Sequence, residues 1–167
     1  MNRRTLTTMA MLGLTVLFAT ALPQIGFGQS NPFYNSLIGT WKLDLAKSTY
    51  SPGPPPRSAT LTFQAEGQGG LRVTIETVDA QGNTTKGGGA LPNDGNFHPV
   101  AGNPDFDAQA DKAANDSTGW IIRTKAGKIV QTLIGVVSAD GKTLTITTGG
   151  VTVDGRQINN VFVDEKQ

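Results

Sequence analysis

The sequence predicts an all-β protein, a single antiparallel β-barrel of about eight to ten strands that follows an N-terminal signal peptide. Three observations predict this fold. Apolar and polar residues alternate with a period of two through most of the chain after residue 37, helical spacing is scarce, and glycine-containing turn sequences recur at intervals of roughly ten residues. This pattern is typical of an antiparallel meander whose strands have one apolar and one solvated face.

The first 28 residues have the pattern of a cleaved secretory signal. Arg3 and Arg4 precede an apolar run over residues 9–22, which is short for a membrane span of roughly 20 residues. Small residues flank possible cleavage points at 19–21 and 26–28, and we expect cleavage after Gly28 by the Sec route rather than the twin-arginine route. The chain has no cysteine, which excludes a lipidated N-terminal cysteine and disulfides. The expected location is the bacterial periplasm or the medium, without a membrane anchor.

The mature chain is expected to form one domain. Cleavage leaves 167 − 28 = 139 residues, which we divide into a flexible segment over 29–36 and a barrel domain over 37–167. Loss of the two arginines leaves 14 − 2 = 12 basic residues against 13 acidic ones, a net charge of −1. A nearly neutral chain argues against nucleic-acid binding and against a polybasic membrane patch. We expect a monomer.

The predicted strands follow one another along the domain. The first begins at Gly39-Thr40-Trp41-Lys42-Leu43, and the next two alternate around Leu61 and Phe63 and around Leu71, Val73 and Ile75. Later strands, rich in threonine and β-branched residues, are predicted near 118–124, 128–137, 143–149 and 157–165. Glycine-containing turns separate strands at 79–82, 125–128, 139–142 and 153–156.

Three segments depart from this regular plan. The proline-rich run 51–56 lacks the amide hydrogens that a strand ladder needs, so we expect an extended connection there and no helical lid. The glycine-rich stretch 86–95 predicts a weak, bulged strand and a loop. The aspartate-containing segment 105–117 fits either a polar strand or one or two helical turns, and we favour a strand.

The opening Gly39-Thr40-Trp41-Lys42-Leu43 resembles the start of the lipocalin and fatty-acid-binding-protein (calycin) superfamily. The ending over 161–166 is similar to the last strand of intracellular fatty-acid-binding proteins. Segments 39–48, 51–54, 140–145 and 165–167 also resemble a broad group of uncharacterised exported bacterial proteins. The resemblance implies a lipocalin-like barrel, with Gly39 and Trp41 as its structural motif. It implies no activity, because that group has no known function.

The chain departs from the superfamily at the residues that would bind a fatty acid. Fatty-acid-binding proteins hold a carboxylate with an Arg-x-Tyr pair on the final strand, where this chain has Val161-Phe162-Val163. The proline run stands where their two covering helices would follow the first strand. Lipocalins stack a last-strand arginine over the motif tryptophan, and here only Lys166 is available. A fatty-acid specificity is therefore not expected.

Three residues are candidates for lining a ligand cavity: Trp120, Arg123 and Phe63. Trp120 and Phe63 would supply aromatic surface, although burial in the core is the commoner role of such side chains. Arg123 lies on a predicted strand with apolar residues on both faces, so its direction is open; pointing inward, it would be an anion-binding group. Arg72 shares a face with polar residues, which predicts an outward ion pair.

Catalysis and metal binding find little support in the sequence. His98 is the single histidine, and a hydrogen-bonded loop residue is more plausible than a catalytic base. The spacing of Asp105, Asp107, Asp111 and Asp116 does not fit an EF-hand calcium loop, and we interpret these residues as a solvated face. We expect no catalytic residue, no metal, no cofactor and no enzymatic activity.

Two classes of function remain. The first is an exported lipocalin-like protein that binds a small, mainly neutral apolar ligand in the barrel, because a barrel of this strand number can hold one small molecule. The second is a non-enzymatic structural or interaction protein whose barrel is filled by its own side chains. Neutral ligands should bind better than fatty acids unless Arg123 points inward, because a buried carboxylate needs a cation.

Overall fold

The computed structural model describes residues 31–167, so the predicted signal peptide lies outside the described residues. This part of the chain contains one six-residue helix and ten strands. In chain order they are α1 (Pro32–Leu37), β1 (Gly39–Leu43), β2 (Ser58–Glu66), β3 (Gly70–Val78), β4 (Thr84–Leu91), β5 (His98–Pro99), β6 (Ala108–Ala113), β7 (Thr118–Lys125), β8 (Lys128–Val137), β9 (Thr143–Val151) and β10 (Gln157–Lys166).

The ten strands form one antiparallel sheet in the order β4-β3-β2-β1-β10-β9-β8-β7-β6-β5. Consecutive strands pair with each other except β4 and β5, and β1 also pairs with β10 through the register Trp41↔Lys166. The sheet curls into a half-barrel with β4 and β5 as its edges, and Gln109 Nε2 on β6 lies 3.5 Å from the Ala90 carbonyl oxygen on β4. The predicted all-β antiparallel fold is confirmed.

The later strands lie where the alternation predicts them, as β7, β8, β9 and β10. Segment 105–117, which fitted either a strand or helical turns, contains strand β6, and the favoured strand is confirmed. The glycine-rich stretch forms β4, which follows β3 closely: Gly88 has φ +138°, and a Cβ there would overlap the Val73 carbonyl oxygen. A glycine at this position therefore allows the backbones of β3 and β4 to lie close together, whereas any side chain would force one of them to move.

Helix α1 differs from the flexible segment expected over 29–36. The side chain of Asn31 accepts a hydrogen bond from the Phe33 amide, and proline occupies the first turn, where its missing N–H costs nothing. Phe33, Tyr34 and Leu37 are buried and form part of the core. The helix therefore covers one end of the barrel, and we call this the closed end.

Trp41 lies at the centre of the closed end. Its side chain is fully buried, and its indole Nε1 donates a hydrogen bond to the Leu37 carbonyl oxygen at 2.7 Å. Lys166 Nζ lies 5.0 Å from the centre of the indole ring and donates to the Ser36 carbonyl oxygen at 2.7 Å. A lysine thus occupies the place over the tryptophan that an arginine takes in lipocalins, and it joins β10 to α1.

Asp111 corrects the expectation of a solvated aspartate face. It is 1% exposed, and its Oδ2 accepts hydrogen bonds from the Tyr34 hydroxyl at 2.5 Å and from the Asn93 amide at 2.9 Å. Burial raises the pKa of this carboxyl, and the Tyr34 bond opposes the rise. The pair joins α1 to β6, whereas Asp107 and Asp116 are exposed as expected.

The long connection between β1 and β2 runs beside β10, beyond the end of β1. Thr49 and Val161 exchange both backbone hydrogen bonds, at 2.8 and 3.0 Å, and the Asn159 amide donates to the Ser51 carbonyl oxygen at 2.8 Å. This route brings Tyr50 and the proline run to the end of the barrel opposite α1. Among residues 31–167 no helix is long and apolar enough to cross a membrane.

Candidate functional site

A cavity of about 490 Å³ opens inside the curled sheet. Its size lies within the range of small-molecule sites, which is roughly 300–1,000 Å³. The wall is mainly apolar, with side chains from β1, β2, β3, β8, β9 and β10: Leu43, Ala59, Leu61, Ile75, Leu133, Ile146, Ile158 and Phe162. The strand alternation explains this wall, because every second residue of each strand faces inward.

A small set of polar side chains interrupts the apolar wall. They are Tyr50, Thr77, Arg123, Gln131, Thr148, Asn160 and Asp164. Three of them are almost completely buried, with exposures of 7% for Gln131, 5% for Thr148 and 1% for Asp164. A few convergent polar groups in an apolar cavity are what orients a bound small molecule.

Arg123 points into the cavity, which settles the direction that the sequence left open. Its Nη1 donates to Gln131 Oε1 at 3.0 Å and its Nε to Gln109 Oε1 at 3.4 Å. The guanidinium also lies 4.3 Å from the ring centre of Phe106. Burial lowers the pKa of Arg123 to about 10, and the charge of Asp105 opposes this shift. The group stays cationic at neutral pH and retains N–H groups that can bind an acceptor.

Asp164 lies on β10, beside Leu43 of β1 and Leu144 of β9. Neither carboxyl oxygen has a hydrogen-bond partner among residues 31–167. Burial alone raises the pKa of this group from 3.8 to about 6. The hydroxyl oxygen of Thr148, another cavity residue, is also buried and without a partner in the described chain.

The mouth of the cavity is formed by two loops. The proline run contributes Pro54, Pro55 and Pro56, and the β3–β4 turn contributes residues 79–81. Arg57 connects these loops, because its Nε donates to the Ala80 carbonyl oxygen at 3.1 Å. The expected extended proline connection is thus part of the entrance, and no helix covers the mouth in the described chain.

Trp120 and Phe63 do not line this cavity. Phe63 is 6% exposed and belongs to the core around Trp41. Both residues border a separate space of about 70 Å³ beside α1, at the closed end. Trp120 is half-buried and stands between Lys112 and Ile134 in the strand register. The structure thus places one of the three candidate ligand residues, Arg123, in the large cavity.

The remaining candidate groups lie away from the cavity. His98 is hydrogen-bonded as expected, with its Nε2 2.9 Å from Asp94 Oδ2, but it lies on the edge strand β5 and not in a loop. Arg72 pairs with Glu66 on the outer face at 2.6 Å, as its position in the alternation predicts. In the described part of the chain no three His, Asp or Glu side chains cluster closely enough to hold a metal ion.

Solved structures with a similar fold include the fluorescent protein UnaG. A mutant of UnaG is 14% identical with a TM-score of 0.54, covering 80% of this chain and 97% of that one. The wild type is 15% identical with a TM-score of 0.53, covering 80% and 98%. Zebrafish ileal bile acid-binding protein in complex with cholic acid is 12% identical with a TM-score of 0.48, covering 79% and 99%.

At these identities the likeness shows the fold alone, an antiparallel β-barrel. No protein-family model matches the chain, and no curated protein matches it in sequence. The resemblance to an exported bacterial group therefore stays an expectation.

Sequence reasoning missed Asp164 and Thr148 as cavity residues. Both follow the alternation, since Asn160, Phe162 and Asp164 share one face of β10 and Thr148 pairs with Asn160. Val161 and Val163 make the other face of β10 equally apolar, so the pattern alone does not say which face is inside. The pairing of Asp164 with Leu43, which fixes the inward face of β10, comes from the register in the structure.

Proposed function

We propose that this protein binds a small, mainly apolar molecule in the barrel cavity, without chemical conversion, outside the cytoplasm. The observation that supports the proposal is the cavity of about 490 Å³ with an apolar wall and few polar side chains. A barrel filled by its own side chains would leave no space of this size. Large residues fill only the closed end, around Trp41, Phe63 and Leu71.

The inward position of Arg123 changes the expected ligand preference. Without a cation in the cavity, a carboxylate ligand would be buried unpaired, at a cost of several kcal/mol. Arg123 supplies that cation, and two of its N–H groups already bind Gln131 and Gln109. A ligand with a carboxylate or another acceptor group at this position is therefore favoured over a purely neutral one.

Fluorescence titration tests the proposal. The mature protein should bind the neutral probe N-phenyl-1-naphthylamine, and dodecanol and dodecanoate should displace it. Arg123→Leu should weaken dodecanoate about tenfold or more and leave dodecanol nearly unchanged, because a hydrogen bond to a charged group contributes about 1.5–3 kcal/mol. The matched control is Arg72→Leu, since Arg72 is an exposed arginine of the outer face.

Two results would count against these expectations. Tight dodecanoate binding that survives Arg123→Leu would exclude this arginine as the anchor. No binding of the probe, the alcohol or the acid would favour a structural or interaction protein.

The export part of the proposal has its own test. The sequence Gly26-Phe27-Gly28 before Gln29 motivates a mature N-terminus near Gln29. N-terminal sequencing of protein from the periplasm or medium of the native host should find it, and an intact Met1 on protein from the cytoplasm would contradict it.

A further inference from the structure

Asp164 is a buried carboxyl that the protein itself does not satisfy. It is 1% exposed, and both of its oxygens are without a hydrogen-bond partner in the described chain. Buried polar groups in folded proteins nearly always have a partner, and each exception asks for an explanation. An unmet acceptor that borders a ligand-sized cavity indicates that the partner arrives with the ligand.

The lysine side chains near Asp164 are already bound to other groups. Lys166, two residues along β10 on the same face, binds the Ser36 carbonyl oxygen and covers the Trp41 ring. Lys47 pairs with Asp44 and Glu165 on the outer surface, at 3.0 and 2.6 Å.

Arg123 belongs to a different part of the cavity. The strand register connects it through Gln131 and Gly150 to Ile158. Three inter-strand steps of about 4.8 Å each therefore separate Arg123 on β7 from β10 around the wall of the cavity. Burial is the cause of the raised pKa of Asp164, without a contribution from the charge of Arg123. The cation and the acid therefore stand apart within one cavity.

Two further cavity hydroxyls are without partners among residues 31–167. Thr148 Oγ1 and Tyr50 Oη are both buried, and the Ser48 hydroxyl close to Tyr50 already bonds to two backbone groups. Burial first, and then the negative charge of Asp164, raises the pKa of Tyr50 to about 12, and the nearby Ser48 hydroxyl opposes this rise. Tyr50 therefore remains a neutral donor and acceptor. The polar groups on this wall thus include one strong acceptor and two hydroxyls.

We propose that Asp164 is a ligand-binding residue, which accepts a hydrogen bond from a donor group of the bound molecule, an ammonium group above all and a hydroxyl group to a lesser degree. Thr148 and Tyr50 offer hydrogen bonds on the same wall. This inference rests on the proposed binding function and deepens it. The cavity distinguishes two ends of an amphipathic ligand: acceptor groups at Arg123 and donor groups at Asp164.

Competition binding on the mature protein tests the inference. N-phenyl-1-naphthylamine reports the cavity, and dodecylamine, dodecanol and dodecanoate compete for it at neutral pH. Asp164→Asn keeps the shape and removes the charge, and it should weaken dodecylamine about tenfold or more, dodecanol less, and the neutral probe hardly at all. Arg72→Leu, which changes an exposed arginine of the outer face, should leave dodecylamine unchanged.

Glu165→Gln is the matched control, because Glu165 is the neighbouring acid on the outer face of β10 and should have no effect on dodecylamine. Thr148→Val provides a second variant on the same wall, expected to weaken dodecanol severalfold while the probe still binds. Dodecylamine affinity that stays within twofold in Asp164→Asn, with probe binding intact, would overturn the inference and leave the proposed function standing. Absence of probe binding in the unmodified protein would overturn both.

Discussion

Substitution of Asp164 by asparagine should remove a pH dependence of stability that the unmodified protein shows. In the unfolded chain the pKa of this carboxyl is near 3.8, and in the folded protein burial raises the pKa to about 6. Between these values the unfolded state binds fewer protons than the folded state, so stability falls as the pH rises. The contribution of Asp164 is fully present below pH 3.8 and is lost above about pH 6.

The size of this effect follows from the same two values. The pKa rises by about two pH units, each equivalent to about 1.4 kcal/mol, so the loss is at most about 3 kcal/mol. Asparagine resembles the protonated carboxyl in shape and charge. The Asp164→Asn protein should therefore gain up to about 3 kcal/mol relative to the unmodified protein between pH 4 and pH 7, on the same linkage argument.

Urea unfolding, followed by tryptophan fluorescence at a series of pH values, measures the difference between the two proteins. Exposed carboxyls such as Asp79, Asp140 and Asp154 have pKa values held below the ordinary range by hydrogen bonds, and their contribution has the opposite sign. They are common to both proteins and cancel in the difference. A difference that does not change with pH would refute the reasoning.

Two further predictions concern the closed end. Trp41→Ala should lower the free energy of unfolding by about 3–5 kcal/mol, the range for truncating a large buried aromatic side chain, and a loss below about 1 kcal/mol in urea would mean that this packing is wrong. Gly119→Ala should destabilise by about 1–3 kcal/mol, because the added Cβ would overlap the Phe33 ring, and Gly135→Ala, with the nearest atom of that ring at 3.6 Å, should cost clearly less in the same assay.

The strands could be predicted from the sequence because alternation and glycine turns are local signals. Helix α1 could not be predicted in this way, since six residues are too few to show a helical period. A capping signal was present: Asn31 followed by Pro32 is a favoured start of a helix. The apolar residues of α1 become part of the core only because the curled sheet leaves one end of the barrel for the helix to cover.

The direction of Arg123 could not be predicted for a different reason. Ile121 and Ile122 make both faces of β7 apolar, so alternation assigns no inside to this strand. The register between β7 and β8 also shifts between Arg123 and Thr124. Only the pairing of Arg123 with Gln131, whose side chain is itself buried, fixes the guanidinium on the cavity side.

The cavity and the filled closed end follow from one distribution of side-chain size along the barrel. Near α1 the inward positions hold Trp41, Phe63 and Leu71, and these large side chains meet in the core. Towards the mouth the inward positions hold smaller or polar residues, including Ala59, Thr77 and Thr148, which cannot fill the same width. A filled-barrel protein would need large apolar residues at both levels. In such a protein, polar residues near the mouth would only lower the stability, because a buried polar group without a partner destabilises the fold. The presence of these polar side chains around an unfilled cavity is therefore better explained by a bound molecule than by stability.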